Sequence, residues 1–295
     1  NLLGSLLMHL FVARPVMRLS AAADEVRLQR ARAISLPDLE GRKDEIGDLA
    51  RSLETMTETL SDRMDAIEAF AADVSHEIKN PLTSIRSALE TLPLVKTAAQ
   101  REKLTNLLQQ DVRRLDRLVS DISNASRLDS ELVKEEEEPF NLIKTLTNLT
   151  EYLGKQANEK GVEFITDFPN EPIRINGLEA RLAQVFVNLI TNAVSFCEDG
   201  DAVRVWARRR ENRVLIVVED TGPGIPEQAL TKVFKRFYSE RPAEHFGNNS
   251  GLGLAISKQI VEAHGGVIWA ENIRPTNADP TSEPLGARFV VGLPV

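Results

Sequence analysis

The chain has 295 residues, 42% of them hydrophobic and 27% charged, which is ordinary globular composition and enough for two or three domains. A net charge of -8 argues against a broad nucleic-acid surface, so no nucleic-acid partner is expected. The single cysteine, Cys197, excludes an intrachain disulfide and a cysteine-built metal cluster, and it fits a reducing cytoplasm.

The chain starts with the run NLLGSLLMHLFV, followed by Arg14. Alone this run is too short for a bilayer, which takes about 20 apolar residues. It also lacks the basic start of a signal peptide. We read residues 1–12 as the end of a transmembrane helix; a hydrophobic helix packed on the rest of the chain is the alternative.

Residues 13–63 read as helix, connector, helix. Val16, Leu19, Ala23 and Val26 recur at three and four residues, a connector from 31 to 43 holds Pro37 and Gly41, and DEIGDLARSLETM follows. Ile46, Leu49, Leu53, Met56 and Leu60 keep heptad spacing. From Met56 the stripe steps by 4, 4 and 3 through Leu60, Met64 and Ile67, a stutter expected to unwind a supercoil locally. Pro15 and the Asp44-Glu45-Ile46-Gly47 string resemble a HAMP domain, a parallel dimeric four-helix bundle. An anonymous dimeric coiled coil is the alternative.

In the stretch FAADVSHEIKNPL, Phe70, Val74 and Ile78 share one helical face. His76 falls outside that stripe and is expected to face solvent, with Glu77 beside it and Asn80 one turn on. Pro81 has no N–H for the Glu77 carbonyl, so the helix is expected to bend or loosen there. The stripe continues through Leu82, Ile85, Leu89 and Leu92, and Pro93 ends the helix. A second amphipathic helix runs from about 98 to 128. Two such helices bury their faces when paired across a two-fold axis as a four-helix bundle. The acidic run Glu135–Glu138 before Pro139 reads as a solvated linker.

From Phe140 the pattern is mixed. Helices are expected near 142–158, 178–197 and 252–263. Strand-like runs are 163–167, 173–176, 203–207, 214–219, 267–271 and 288–293, which predict helices layered on one mixed, largely antiparallel sheet. Val185, Phe186, Leu189 and Ile190 form the apolar face of one helix, and Asn188, Asn192 and Ser195 a polar stripe. Cys197 ends this helix as a packing residue. Three further stretches stand out: Asp220-Thr-Gly222-Pro-Gly224-Ile225, Val233-Phe234-Lys235-Arg236-Phe237-Tyr238, and Ser250-Gly251-Leu252-Gly253-Leu254 after an irregular segment of lid length. His264 reads as a helix-end residue.

FAADVSHEIKNPLTSI resembles the H-box of sensor histidine kinases, in wording closest to the ChvG/ExoS type of alphaproteobacterial envelope sensors. The later stretches are similar, in family order, to the N, G1, F and G2 boxes of the GHKL (Bergerat) ATP-binding fold. The resemblance implies a mixed fold. An all-α coiled-coil and four-helix-bundle dimer, comprising a HAMP domain (13–63) and a phosphotransfer domain (64–134), precedes an α/β-sandwich ATP-binding domain (135–295).

It further implies autophosphorylation on His76 with Glu77 as its acid–base neighbour, phosphotransfer to a response-regulator receiver domain, and regulator dephosphorylation supported by Asn80. ATP and Mg²⁺ are the implied cofactors, with Asn192 as Mg²⁺ ligand. Nucleotide contacts fall to Asn188, Asn192, Phe196, Asp220, Gly222, Gly224, Ile225, Phe234, Arg236, Phe237, Ser250, Gly251, Leu252, Gly253 and Leu254. Lys235, Arg236 and Arg241 compete for the γ-phosphate, because Ser239 stands where relatives carry a basic residue and Ser195 departs from another. The implied protein is a homodimer held at a bacterial inner membrane with this region cytoplasmic. A GHKL-type ATPase and a catalytically dead HAMP relay are the rival readings.

Overall fold

The computed structural model describes residues 2–28, 31–238, 250–275 and 282–295. Ser239, Arg241, His245 and Asn249 lie outside them. The chain divides into two compact units, Asn1–His76 and Glu77–Val295.

In the first unit, helix α1 (Leu2–Arg27) includes a π-helical turn at His9–Ala13. The apolar N-terminal run is therefore not a separate short segment. It joins the following helix in 26 residues, long and apolar enough to cross a membrane by length and composition. A single turn α2 (Pro37–Glu40) leads to the long helix α3 (Glu45–Thr91). Asp44 caps α3 by accepting the Gly47 N–H at 3.1 Å, and Glu45 and Asp48 complement its positive end. The Arg42 guanidinium beside Asp44 holds that carboxyl low, at about 2. Position 47 requires glycine for packing: a Cβ there would stand 2.4 Å from the Arg42 carbonyl oxygen.

Leu19, Leu39 and Ala50 form the small core of this unit, with Leu36, Ile46 and Leu53 packed on it. The connector's backbone donors are met by α3 side chains: Ile34 N–H by Thr57 Oγ1 (3.0 Å) and Leu36 N–H by Glu54 Oε1 (2.6 Å). The heptad stripe thus divides. Ile46 and Leu53 serve the chain's own core, while Leu49, Met56 and Leu60 stay exposed.

In the second unit, α3 continues past Pro81, which is buried within it, to Thr91 without interruption. Helix α4 (Ala98–Lys134) follows after a turn containing Pro93. Strand β1 (Glu138–Asn141) then begins inside what the charge run suggests is linker. It pairs antiparallel with β3 (Arg174–Gly177) in a two-stranded sheet of its own, so the single expected sheet is corrected to two. Pro139 is tolerated because this ribbon has a free edge.

The larger sheet has β2 (Glu163–Asp167), β4 (Ala202–Arg210), β5 (Arg213–Asp220), β6 (Val267–Ile273) and β7 (Gly286–Pro294) in the order β2-β4-β5-β7-β6. Only β2 with β4 is parallel. Strand β4 shows the two-residue period. Val203, Val205 and Ala207 are fully buried, while Arg204 and Arg208 turn outward to pair with Asp167 at 2.9 and 2.7 Å.

Helices α5 (Leu142–Glu159), α6 (Glu179–Phe196) and α7 (Gly253–Ala263) complete the layer. Asn141 caps α5 by accepting from the N–H groups of Ile143 and Lys144. On α6, Leu182, Val185, Phe186, Leu189, Ile190 and Ala193 are fully buried, so the expected apolar face is the centre of the core.

Candidate functional site

The phosphoacceptor stretch lies on α3. His76 and Asn80 are exposed and Glu77 is half-buried, while Phe70, Val74 and Ile78 turn partly inward. Pro81 denies the Glu77 carbonyl its helical donor one turn on, beside the exposed imidazole. The Glu77 carboxylate accepts from Arg114 of α4, Nη2 to Oε2 at 3.0 Å. No periodicity in either helix names that pair, because it is set by how the two helices pack.

The second site is a cavity of about 660 Å³ lined mostly by the α/β part. Helix α6 lines it with Asn188, Asn192 and Phe196, and β5 ends in it at Asp220. Gly224 and Ile225 follow from the turn after β5, and Ser250, Gly251, Gly253 and Leu254 from the entry of α7. Ten of the expected nucleotide residues are therefore gathered around one space.

Asp220 is almost fully buried. Burial pushes its carboxyl up to about 6, against the pull of N–H donors from Ala287 (3.3 Å) and Gly222 (3.1 Å), both on Oδ1. Gly286 makes that approach possible. It has φ +151°, and a Cβ on it would fall 1.8 Å from the Asp220 carbonyl oxygen. The turn after Asp220 is clipped by Asn272 of β6. Its Oδ1 accepts the Ile225 N–H at 2.8 Å and its Nδ2 donates to the Ile225 carbonyl at 2.7 Å. Asn272 Nδ2 also donates to Glu227, which pairs with Arg274.

Asn188 donates through Nδ2 to the Gly253 carbonyl (3.1 Å) and Ser257 Oγ (3.3 Å), so it fastens α6 to the first turn of α7. Ser195 turns back to its own helix, donating to the Asn192 carbonyl at 2.6 Å.

Five expected residues do not line the cavity, and each supports a neighbour or stands apart. Gly222 supplies a donor to Asp220. Leu252 is buried in the core. Phe234 packs edge-on against the cavity residue Phe289, ring centroids 6.2 Å apart. Phe237, at φ +59°, donates its N–H to the Gly251 carbonyl at 2.9 Å. Arg236 is exposed, as is Lys235, and neither reaches the lining. Among the described residues the only Lys or Arg there is Arg117 of α4, with Asp121 one turn on. Tyr238, the last residue of the Val233–Tyr238 stretch, and Pro284, which no motif singles out, also line the cavity. Burial pushes the Cys197 thiol up to about 12, which keeps it protonated and inert at neutral pH. His264 caps the end of α7, Nδ1 to the Ile260 carbonyl at 2.7 Å and Nε2 accepting the Leu178 N–H at 3.0 Å.

Comparison with known proteins assigns two stretches of the chain to families. Residues 66–131 match the His Kinase A (phospho-acceptor) domain, and residues 177–295 match the Histidine kinase-, DNA gyrase B-, and HSP90-like ATPase family. The sensor protein ChvG of Agrobacterium fabrum is 46% identical over the whole chain, and that of Rhizobium meliloti 47%. The chain spans about half the length of these relatives, 50% and 52%. Among solved structures, full-length ShkA in complex with AMPPNP is similar over 76% of this chain and 45% of its own, at TM-score 0.52 and 29% identity. The histidine kinase ThkA in complex with the response regulator TrrA shares the fold over 79% of this chain and 63% of its own, at TM-score 0.62 and 24% identity.

Proposed function

Because the chain belongs to the sensor histidine kinase family, we propose that it transfers the γ-phosphoryl group of ATP to His76, and from there to an aspartate of a response-regulator receiver domain. One observation carries the reading. The chain holds an accessible histidine beside a carboxylate on one helix, and a cavity gathering Asn192, Asp220, Gly224 and Gly251 that fits a purine nucleotide.

In this mechanism His76 attacks through Nε2, while Glu77 holds or accepts the Nδ1 proton and so sharpens the nucleophile. Asp220 accepts from the adenine amino group. Phe196 packs on the base, and the α7 entry at Gly251–Leu254 presents its amides to phosphate. Asn192 offers a hard amide oxygen to the cavity, a donor suited to Mg²⁺, which keeps waters and phosphate oxygens as its other ligands. Bound there, Mg²⁺ supplies charge neutralisation on the phosphates. Phosphoryl transfer asks little else beyond positioning, so the acidic segment ahead of β1, Glu135–Glu137, serves as hinge between bundle and nucleotide domain. Asn80, exposed one turn after His76, orients the water that dephosphorylates the regulator.

The assignment of 13–63 as a HAMP domain, 64–134 as the phosphotransfer bundle and 135–295 as the catalytic domain completes the proposal. The bundle works as a homodimer. Leu60, Ile67, Leu82 and Leu89 are exposed along α3 and supply an apolar face for a second copy. Helix α1 anchors the protein in the inner membrane with the remaining residues cytoplasmic.

The test is incubation with γ-labelled ATP and Mg²⁺ of the wild type and His76→Ala. Acid-labile, base-stable label present in the first and lost in the second is the expected result. Label retained in His76→Ala, or ATP hydrolysed with no labelled protein, would overturn it. Asn80→Ala is expected to keep its label and to lose regulator dephosphorylation.

A further inference from the structure

The Glu77 carboxylate bonds across the helix pair to Arg114, and both side chains are largely withdrawn from water, at 24% and 17% exposed. Asp111, one turn earlier on α4, has a buried Oδ2 with no hydrogen-bond partner. The helix pair thus carries a largely buried ion pair, Glu77 with Arg114, next in sequence to the phosphoacceptor histidine, and a further buried carboxylate oxygen on Asp111. Leu115 and Leu118 show that this helix otherwise fills its inner face with leucine. Apolar replacements of similar volume commonly match or exceed buried charges in stability, so stability alone does not account for the group.

The geometry has a direct consequence for Glu77. Side chains at i and i+1 of a helix do not face each other, so a carboxylate following His76 in the chain needs outside help to hold a useful orientation. Arg114 Nη2 engages Oε2, and Oε1 is the oxygen that would accept an imidazole N–H. We propose that Arg114 is the positioning residue of Glu77, a third group that orients the base serving His76. This rests on the reading of His76 as phosphoacceptor. It is the logic of nucleophile, base and orienter, with the orienter on the neighbouring helix. Because the bond joins α3 to α4, any sliding of one helix on the other changes the aim of the carboxylate. Bundle packing is thereby coupled to the phosphorylation rate without touching the nucleotide cavity.

The experiment measures the autophosphorylation rate of the full chain against ATP concentration, for the wild type, Glu77→Gln, Arg114→Gln, Arg114→Lys and the Glu77→Gln/Arg114→Gln double variant. Nucleotide affinity and helical content, measured in parallel, report that each is folded. Arg114→Gln is expected to slow the rate at saturating ATP by about ten- to a hundredfold with KM for ATP unchanged. Arg114→Lys recovers part of it, having the charge without the planar fork. The double variant is expected to be no slower than Glu77→Gln alone, since Arg114 acts through Glu77. An unchanged rate in Arg114→Gln, or a double variant slower by the product of the single effects, would overturn the inference. Absence of label on the wild type would instead overturn the kinase reading on which it stands.

Discussion

The helical and the α/β parts of this chain treat their apolar residues in opposite ways. Along α3, Met56 and Ile67 are 61% and 66% exposed, and Leu82 is 50% exposed. In the α/β part, Phe186, Val203, Val205 and Ile260 are all 0% exposed. Both stretches have amphipathic patterning of similar strength. The difference is closure: a sheet with three helices on it finishes its own core, whereas a two-helix hairpin cannot. The catalytic layer is a self-sufficient fold and the helical part is half of one.

The largest test of that contrast is Phe186→Ala. Emptying the centre of a closed core costs about 3–5 kcal/mol, so a urea titration of the chain should show the nucleotide-binding transition move to much lower denaturant. Retention of full ATP affinity at the wild-type midpoint would deny that α6 is the core. Next comes Ile67→Ala, which removes a side chain worth about 1.5–3 kcal/mol only where a second copy covers it. Sedimentation should show a dimer weakened by about tenfold or more, with nucleotide affinity unmoved. An unaltered dimer would place the helical core elsewhere.

A pH series sharpens the other side. The Asp220 carboxyl, raised to about 6 in the folded chain against an ordinary 3.8, binds more protons folded than unfolded between those values. By that sign its contribution to stability is fully present below about 4 and declines as pH rises through 6. Nucleotide affinity runs the opposite way, because only the ionised form accepts fully from a base amino group. The Kd for an ATP analogue is expected to weaken about tenfold from pH 7 to pH 5, and to lose that dependence in Asp220→Asn. Smallest is Asn141→Ala, which removes the cap of α5 and should cost about 1 kcal/mol, visible as a lowered Tm of the α/β transition alone.

Much of this was legible in the residues. Periodicity located every long helix, and the strand runs fell within a few residues of β2 to β7. Motif wording pointed to Asn192, Asp220, Gly224 and Gly251, which the fold brings around one cavity. Strand β1 was missed because a run of four glutamates and a proline has the composition of a solvated linker. Its pairing with β3 depends on residues 33 to 39 positions away, not on its own propensity. Asn272 and Gly286 were missed for a related reason. Each acts on the turn after β5 through strand register, and a single Asn or Gly in a strand carries no local signature. Asn272 follows Glu271 near the end of β6, so composition there gave no signal either. Arg114 and Arg117 were hidden by the helix they share, where charged residues are expected on any outer face.

The fastening of α6 to α7 sets where the nucleotide domain is able to breathe. Asn188 ties the middle of α6 to the first turn of α7, and His264 at the far end of α7 ties back to Leu178 at the head of α6. The histidine does this as one tautomer, Nδ1–H donating to Ile260 and Nε2 accepting from Leu178. With a clasp at each end, the two helices form one lever. Their amide protons should exchange with deuterated water only through whole-domain opening. Nucleotide arrival should slow exchange chiefly in the turn from Thr221 to Tyr238, leaving the lever silent. Movement on ATP binding is thereby confined to the rim of the cavity, while its floor stays fixed.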